Sequence, residues 1–402
     1  MDRRSLLSVA GISLAAPSLI VPTLVRAQPR PFVYHSVNAF SGPFAVSGKY
    51  SDLGVRAALK AFGNDLGRAI DYRRIDTEGN PAIAVRKVQQ AIGQDQARHF
   101  GGAALSNEAL AIMKEIGQAG GVYLTYVGAD EVTGRDCNRS TFRWSLPTYG
   151  AVHTVLQPLL QQNPKWKRIY TITGQYVFGE ALLRNAKAVM QPQGVQHIGN
   201  SYHALAEKEF SGYLGNAMSS GADVLLVLNF GANTLDLLRQ AAAFGIKRRM
   251  AVVVVWFSGL DTFQALGADV TEGMYFGLQY WHGQDTPGNR AFLKVFREEF
   301  KENPRFYSAA DYQIAMLMFD AVRRAGSDTP AELVKALENH RYEGLTGEEE
   351  IRAFDHQVVK NYLLVRGKGK AAMKDADDYA DILSTTRAVV PQAASDCKMT
   401  PA

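Results

Sequence analysis

The sequence is poor in the residues that carry covalent chemistry or hold metals. Its 402 residues include two cysteines and eight histidines. No Cys-x-x-Cys or His-Glu-x-x-His occurs, and no two histidines fall at helical ligand spacing, so no metal is expected. There is no Gly-x-x-x-x-Gly-Lys-Ser/Thr loop, which argues against a nucleotide hydrolase. Gly42 and Gly48 lack the Gly-x-Gly-x-x-Gly spacing that a pyrophosphate requires. A Gly-x-Ser-x-Gly nucleophile elbow is missing too. The charge has no strong bias: the formal net charge is +5 and is spread along the chain, which does not mark a nucleic-acid surface. Beyond residue 27 no apolar run is long enough to span a bilayer. Neither catalysis nor a cofactor is expected.

The first 27 residues read as a leader rather than as fold. Arg3 and Arg4 precede an apolar run from Leu6 to Val25, and Val25-Arg26-Ala27 supplies small residues at −3 and −1 before Gln28. This is the pattern of a signal peptide cleaved after Ala27. Arg3-Arg4-Ser5-Leu6-Leu7 resembles the twin-arginine export signal, though Asp2 is not its usual preceding residue; a general secretory signal is the alternative. Loss of the leader removes three arginines and one aspartate, leaving a net charge of +3. Export favours a disulfide between Cys137 and Cys397, the alternative being two separate thiols.

What the sequence has is a repeated strand-loop-helix unit, clearest at Arg168–Glu180. The β-branched, aromatic run Arg168–Thr173 stops at Gly174. A short loop, Gln175–Phe178, follows, and Gly179 opens a helix with Leu182, Leu183, Ala186, Val189 and Met190 on one face. Strands are expected at Pro31–Val37, Ile70–Asp76, His99–Leu105 and Val122–Val127, with helices between them. A second set of strands follows at Arg168, Val195–His203, Asp223–Asn229 and Ala251–Trp256. Helices are expected near Asn289–Phe300 and Ala309–Arg324, and a late strand at Lys360–Gly367. The fold class is α/β, with two doubly wound parallel-sheet lobes. Glu348-Glu349-Glu350 reads as a solvated turn, and the tail from Asp375 as polar.

Several segments, taken in order, resemble the type I periplasmic solute-binding proteins of ABC importers, in the leucine/isoleucine/valine-binding branch. They are Ser41-Gly42-Pro43 with Gly48; Ile75–Pro81 before Ala84-Val85; Phe142-Arg143; Leu238–Gly245 followed by Glu272-Gly273; and Tyr342–Gly347. The resemblance implies two lobes joined by three crossovers and closing on a small ligand. The N-terminal lobe would comprise 28–146 plus 280–350, and the C-terminal lobe 147–279 plus 351–402. It further implies a periplasmic monomer whose partners are a small-molecule ligand and membrane permease subunits. A periplasmic ligand sensor shares the same fold.

The resemblance also suggests the ligand-binding residues. Ser106 and Asn107, at a helix start, correspond to a loop that holds the ligand carboxylate; Ser106 also suits a helix cap. Asp130 stands where the family has Ser or Thr, and either caps the next turn or accepts a ligand donor. Phe178 stands at a family tyrosine, and Phe230 lies near another. After strand Ala251–Val255 amino-acid binders place an acid for the ammonium; this chain has Trp256, with no acid until Asp261. Phe44, Tyr126, Phe178, Phe230 and Trp256 are expected to line an aromatic cleft. The expected ligand is a small aromatic or apolar organic acid, and the alternative a branched-chain or aromatic amino acid.

Overall fold

The computed structural model describes residues 30–399. The leader and its cleavage point lie outside them. The chain begins β1 (Phe32–Asn38), α1 (Ala45–Phe62), β2 (Ile70–Asp76), α2 (Pro81–Gln94), β3 (His99–Gly102), α3 (Ser106–Gln118), β4 (Val122–Thr125), β5 (Thr141–Arg143). These strands form one parallel sheet in the order β2-β1-β3-β4-β5.

The chain then crosses to a second set. This comprises α4 (Thr148–Gln162), β6 (Arg168–Gly174), α5 (Val177–Met190), β7 (Gln196–His203), α6 (Ser211–Ser219) and β8 (Val224–Leu228). It continues through α7 (Ala232–Ala243), β9 (Ala251–Val254), α8 (Leu260–Leu266), α9 (Ala268–Thr271) and β10 (Tyr275–Leu278). A return crossing leads to α10 (Pro287–Phe300), α11 (Phe306–Ala325), α12 (Pro330–Leu337) and a small sheet of β11 (Arg341–Gly344), β12 (Gly347–Ile351) and β13 (Val358–Val359). The last crossing delivers β14 (Tyr362–Gly367) and β15 (Ala380–Thr386) to the second sheet, whose order is β15-β14-β10-β9-β8-β6-β7. There β14 runs antiparallel to both of its neighbours, and the strands from β10 to β7 are mutually parallel.

Local chemistry explains the elements. Every residue of β8 is buried and apolar, as a parallel strand covered on both faces requires. Helix α2 starts where Pro81 follows Asn80, whose side chain accepts the Ala82 and Ile83 N–H groups. Helices α1 and α11 pack closely on the first sheet because Gly54 leaves room: a Cβ there would lie 2.3 Å from the Ser308 carbonyl oxygen.

The three crossovers meet in a buried polar knot. Lys360 Nζ donates to the Gln279 carbonyl at 2.7 Å and to Gln279 Oε1 at 3.3 Å, and lies 4.3 Å from the Trp144 ring centroid. Gln279 in turn accepts from Leu146 N–H and donates to the Leu146 carbonyl. Burial pulls the Lys360 ammonium down to about 8, with the Glu349 carboxylate counteracting it. Arg143, also buried, donates to Gln357 Oε1 at 2.7 Å and to the Ala129 carbonyl and Thr133. On the first crossing's other flank, Phe142 stacks on His356 with centroids 3.8 Å apart.

One expectation is corrected here. Glu348–Glu350 is not a solvated turn but part of β12, and Glu349 is fully buried. Its carboxylate accepts from Trp144 Nε1, the Tyr342 hydroxyl, and the Thr346 N–H and hydroxyl. The polar tail contains a strand, β15, paired with β14. Only Ala380 of β15 is buried, so the strand has no alternating apolar signal to read. Beyond it, a disulfide joins Cys137 to Cys397, with Cα atoms 5.6 Å apart, and fixes the tail to the loop between β4 and β5.

Removing a carboxylate that satisfies several buried donors leaves those donors unpaired. Glu349→Ala is therefore expected to destabilise the protein by about 3 kcal/mol or more. The exposed neighbour Glu348→Ala should fall within about 0.5 kcal/mol of the parent. Urea denaturation of both variants checks this; equal effects would contradict the assignment of Glu349 to the hinge.

Candidate functional site

A small cavity of about 20 Å³ lies between the two lobes, as they stand closed on each other. Its first-lobe wall is Ala104, Ser106, Tyr126, Val127 and Gly128, at the carboxyl ends of β3 and β4. The second lobe contributes Tyr176 and Phe178 after β6, Phe230 after β8 and Trp256 after β9; Phe306, opening α11, completes the lining. All of these second-lobe groups follow strand ends, where open α/β sheets place their ligands. No charged side chain is among them.

The rings form a continuous edge-to-face chain across the cleft. Trp256 meets Phe178 at 5.1 Å, Phe178 meets Phe230 at 6.1 Å, Phe230 meets Phe306 at 6.4 Å and Phe306 meets Tyr126 at 5.7 Å. Such pairs are worth about 0.5–1.5 kcal/mol each beyond their burial. The approach of the lobes depends on Gly128. A Cβ there would lie 2.5 Å from Phe178 and 2.7 Å from Trp256.

Polar groups sit at the first-lobe end. Ser106 Oγ accepts from Ala129 N–H at 3.2 Å. The leading N–H groups of α3 have no carbonyl of their own helix to donate to. The Tyr126 ring faces the cavity while its hydroxyl donates to Asn38 Oδ1 at 2.7 Å. Asn38 also donates to Asp311, a fully buried carboxylate. Burial pushes the Asp311 carboxyl up to about 7, with hydrogen bonds to it acting in the opposite direction. Burial likewise raises the Tyr176 hydroxyl, which stays neutral at ordinary pH.

Ser106, Tyr126, Phe178, Phe230 and Trp256 thus share one cavity. Three other expected residues lie elsewhere. Phe44 ends a short turn whose Ser41 is held by Asp76, and its ring packs against Gly79. Asn107 spends its side chain on the Glu108 N–H of its own helix start. Asp130 is a clasp outside the cavity. Its Oδ1 accepts from the Thr148 hydroxyl and Tyr149 N–H at the start of α4. Its Oδ2 accepts from Asn185 at 2.6 Å and Arg184 at 3.2 Å on α5. Of the two roles open to Asp130, the geometry gives capping, and it caps a helix of the opposite lobe. Tyr176 and Phe306 were missed. Tyr176 sits in the same loop as Phe178, and Phe306-Tyr307 is an aromatic pair before a helix; both signals were legible.

The model of the family described as "Periplasmic binding protein" matches residues 36–372. The chain belongs to the periplasmic binding protein family. A curated relative, the Leu/Ile/Val-binding protein homolog 4 of Brucella abortus, is 23% identical over 92% of both chains. Among solved structures, the amino acid ABC transporter substrate-binding protein of Pseudomonas fluorescens Pf-5 is 51% identical. It covers 92% of this chain and all of its own, with a TM-score of 0.89. A solute-binding protein of an R. palustris ABC transporter, solved with benzoate, is 22% identical with a TM-score of 0.82, covering 92% of this chain and 100% of that one. At that identity the likeness concerns the fold. Proteins of this family are solute binders, and no helix of the described residues is long and apolar enough to cross a membrane.

Two outcomes test the geometry of this periplasmic binding protein. Gly128→Val should hold the lobes apart, weakening ligand binding at least tenfold while the scattering radius in solution rises. A variant with unchanged affinity and radius would show that Gly128 does not gate closure. Asp311 supplies the second. Below pH of about 4 its carboxyl is protonated in folded and unfolded chains alike. Between its ordinary 3.8 and about 7 the unfolded chain has lost the proton and the folded chain retains it. Stability therefore falls as pH rises through that window. Asp311→Asn should remove the fall and gain a few kcal/mol on the parent between pH 4 and pH 8, read by urea melts at each pH.

Proposed function

We propose that this chain is the solute-binding component of an ABC importer that captures a small aromatic or apolar carboxylic acid. The ligand sits between the lobes, and the closed protein presents it to permease subunits in the membrane. The chain acts as a monomer in the periplasm after loss of residues 1–27. Its hinged lobes are 28–146 plus 280–350 and 147–279 plus 351–402, and binding involves no catalytic step.

One observation carries the ligand class: the cavity is walled by aromatic rings and contains no acidic side chain. A buried ammonium without a carboxylate is costly, by several kcal/mol. Asp130, the acid of the second carboxylate loop, is held by four donors outside the cavity. A flat ring stacks on Phe178, Phe230 and Trp256, and a carboxylate faces Ser106 and the start of α3, where helix N–H groups suit an anion. The benzoate-bound R. palustris relative supports the reading. The amino acid ABC transporter protein at 51% identity favours a second reading, a branched-chain or aromatic amino acid.

A thermal-shift screen followed by calorimetry on the protein from Gln28 onward separates the two. A ligand that binds only the folded state raises the melting midpoint by mass action. Benzoate-type acids are expected to raise it by several degrees and to bind with micromolar or better affinity, with leucine and phenylalanine inert. Binding of the amino acids without the acids would overturn the ammonium-free reading.

A further inference from the structure

The two ends of the disulfide belong to different sheets. Cys137 lies in the loop between β4 and β5 of the first sheet. Cys397 ends a segment that leaves β15, the edge strand of the second. Residues 387–397 therefore form a strap, a fourth connection between the lobes beside the three crossovers. It is closed by a bond between residues 260 positions apart.

The strap runs along the hinge. Arg387 donates to Asn361 Oδ1 at 3.0 Å and to the Glu348 carbonyl at 2.7 Å, beside the third crossing. The Ala388 carbonyl oxygen lies so close to Gly150 of α4 that a Cβ there would come within 2.2 Å of it. Arg352, in the turn between β12 and β13, donates to the Val390 carbonyl at 2.7 Å. The strap then borders the Asp130 clasp. A cavity of about 530 Å³ is lined by Asp130, Arg184 and Asn185 of the clasp and by Val390, Pro391 and Ser395 of the strap. At the clasp two backbone groups of α4 are tied to the first lobe: Tyr149 N–H donates to Asp130 Oδ1 at 3.0 Å and Thr148 N–H to the Gly128 carbonyl at 2.8 Å. Apart from its bond, little holds the strap in place. No residue from Arg387 to Cys397 is buried, and a segment with so little buried surface detaches readily once its tether is cut. Both cysteines are themselves half-buried, which leaves the bond open to an attacking thiolate.

We propose that the strap is a redox-sensitive brace on lobe closure. With the Cys137–Cys397 bond intact it keeps the clasp shut; reduction releases residues 387–397 and lets the clasp open. The reductant is a dithiol. One of its thiolates attacks one sulfur of the bond and expels the other as a thiolate, leaving a mixed disulfide. Its second thiol displaces the protein sulfur from that intermediate, so that the dithiol leaves as a cyclic disulfide. Two electrons and two protons pass to the protein, which ends with two thiols. The share of closed molecules falls on reduction, and the apparent affinity for a ligand of the cleft falls with it.

Hydrogen–deuterium exchange tests this without a ligand, on the protein from Gln28 onward. The oxidised protein is compared with the same protein reduced by dithiothreitol after folding, and with Cys137→Ser/Cys397→Ser. Reduction should speed exchange at Thr148 and Tyr149 at least tenfold and leave the core strand β8 unchanged. The double variant should exchange at the reduced rate and ignore dithiothreitol; should it fail to fold, the reduced parent decides. Equal rates at Thr148 and Tyr149 in both redox states, with residues 387–397 exchanging freely, would overturn the brace and make the bond an anchor for the tail alone. Equal acceleration in β8 would overturn it too, since the bond would then stabilise the whole fold. So would a bond that dithiothreitol leaves intact in the folded protein.

Discussion

The knot of Lys360, Gln279 and Glu349 is the constraint on which the other parts depend. Gln279 lies on the second crossing, Lys360 on the third with Glu349 on the strand before it, and their hydrogen bonds with Trp144 and Leu146 of the first link the three through buried polar groups. Buried charges are tolerated only when such partners surround them. That condition fixes where the three chains lie relative to one another. The arrangement explains why a strongly acidic triplet, Glu348–Glu350, contains a residue as buried as any leucine: Glu349 is needed inside, while the exposed Glu348 faces solvent.

From that hinge the cleft follows. Parallel strands place their following loops on one edge of each sheet, and the hinge turns the two edges toward each other. The side chains delivered there are rings on both sides, and the contact is close enough that only a glycine fits at position 128. The acids at the lobe boundary serve closure rather than the cavity wall. Asp130 joins the start of α4 and α5 to the first lobe on one side. Asp377 joins Gln264 to Asn303 on the other. A binding protein of this build separates two tasks: charge holds the lobes at the rim, and apolar surface receives the ligand in the middle.

Much of the fold is legible in the residues. Ile70–Asp76 and the start at Pro81 match the observed β2 and α2, because the turn residues from Asp76 to Asn80 and the Asn-Pro cap are local signals. The helix ending near Phe300 and the long helix before Gly326 are equally plain. β15 is not legible, since it is an edge strand that buries one residue. For the site, Phe178, Phe230 and Trp256 are found because each follows a readable strand. Phe44 follows one as well, but Asp76 pulls its turn against the neighbouring loop. Asp130 is ambiguous in sequence because a carboxylate caps a helix and binds a ligand with the same atoms.

The sequence by itself determined the two α/β sets, their order and the loops that rise at the strand ends, since these rest on hydrophobic period and turn chemistry within a few residues. Its ordered motifs also determined the family. The tertiary structure alone decided which side chains from distant loops share the cavity, and that Glu349 is buried. Those facts depend on contacts between residues tens to hundreds of positions apart, which no local pattern encodes.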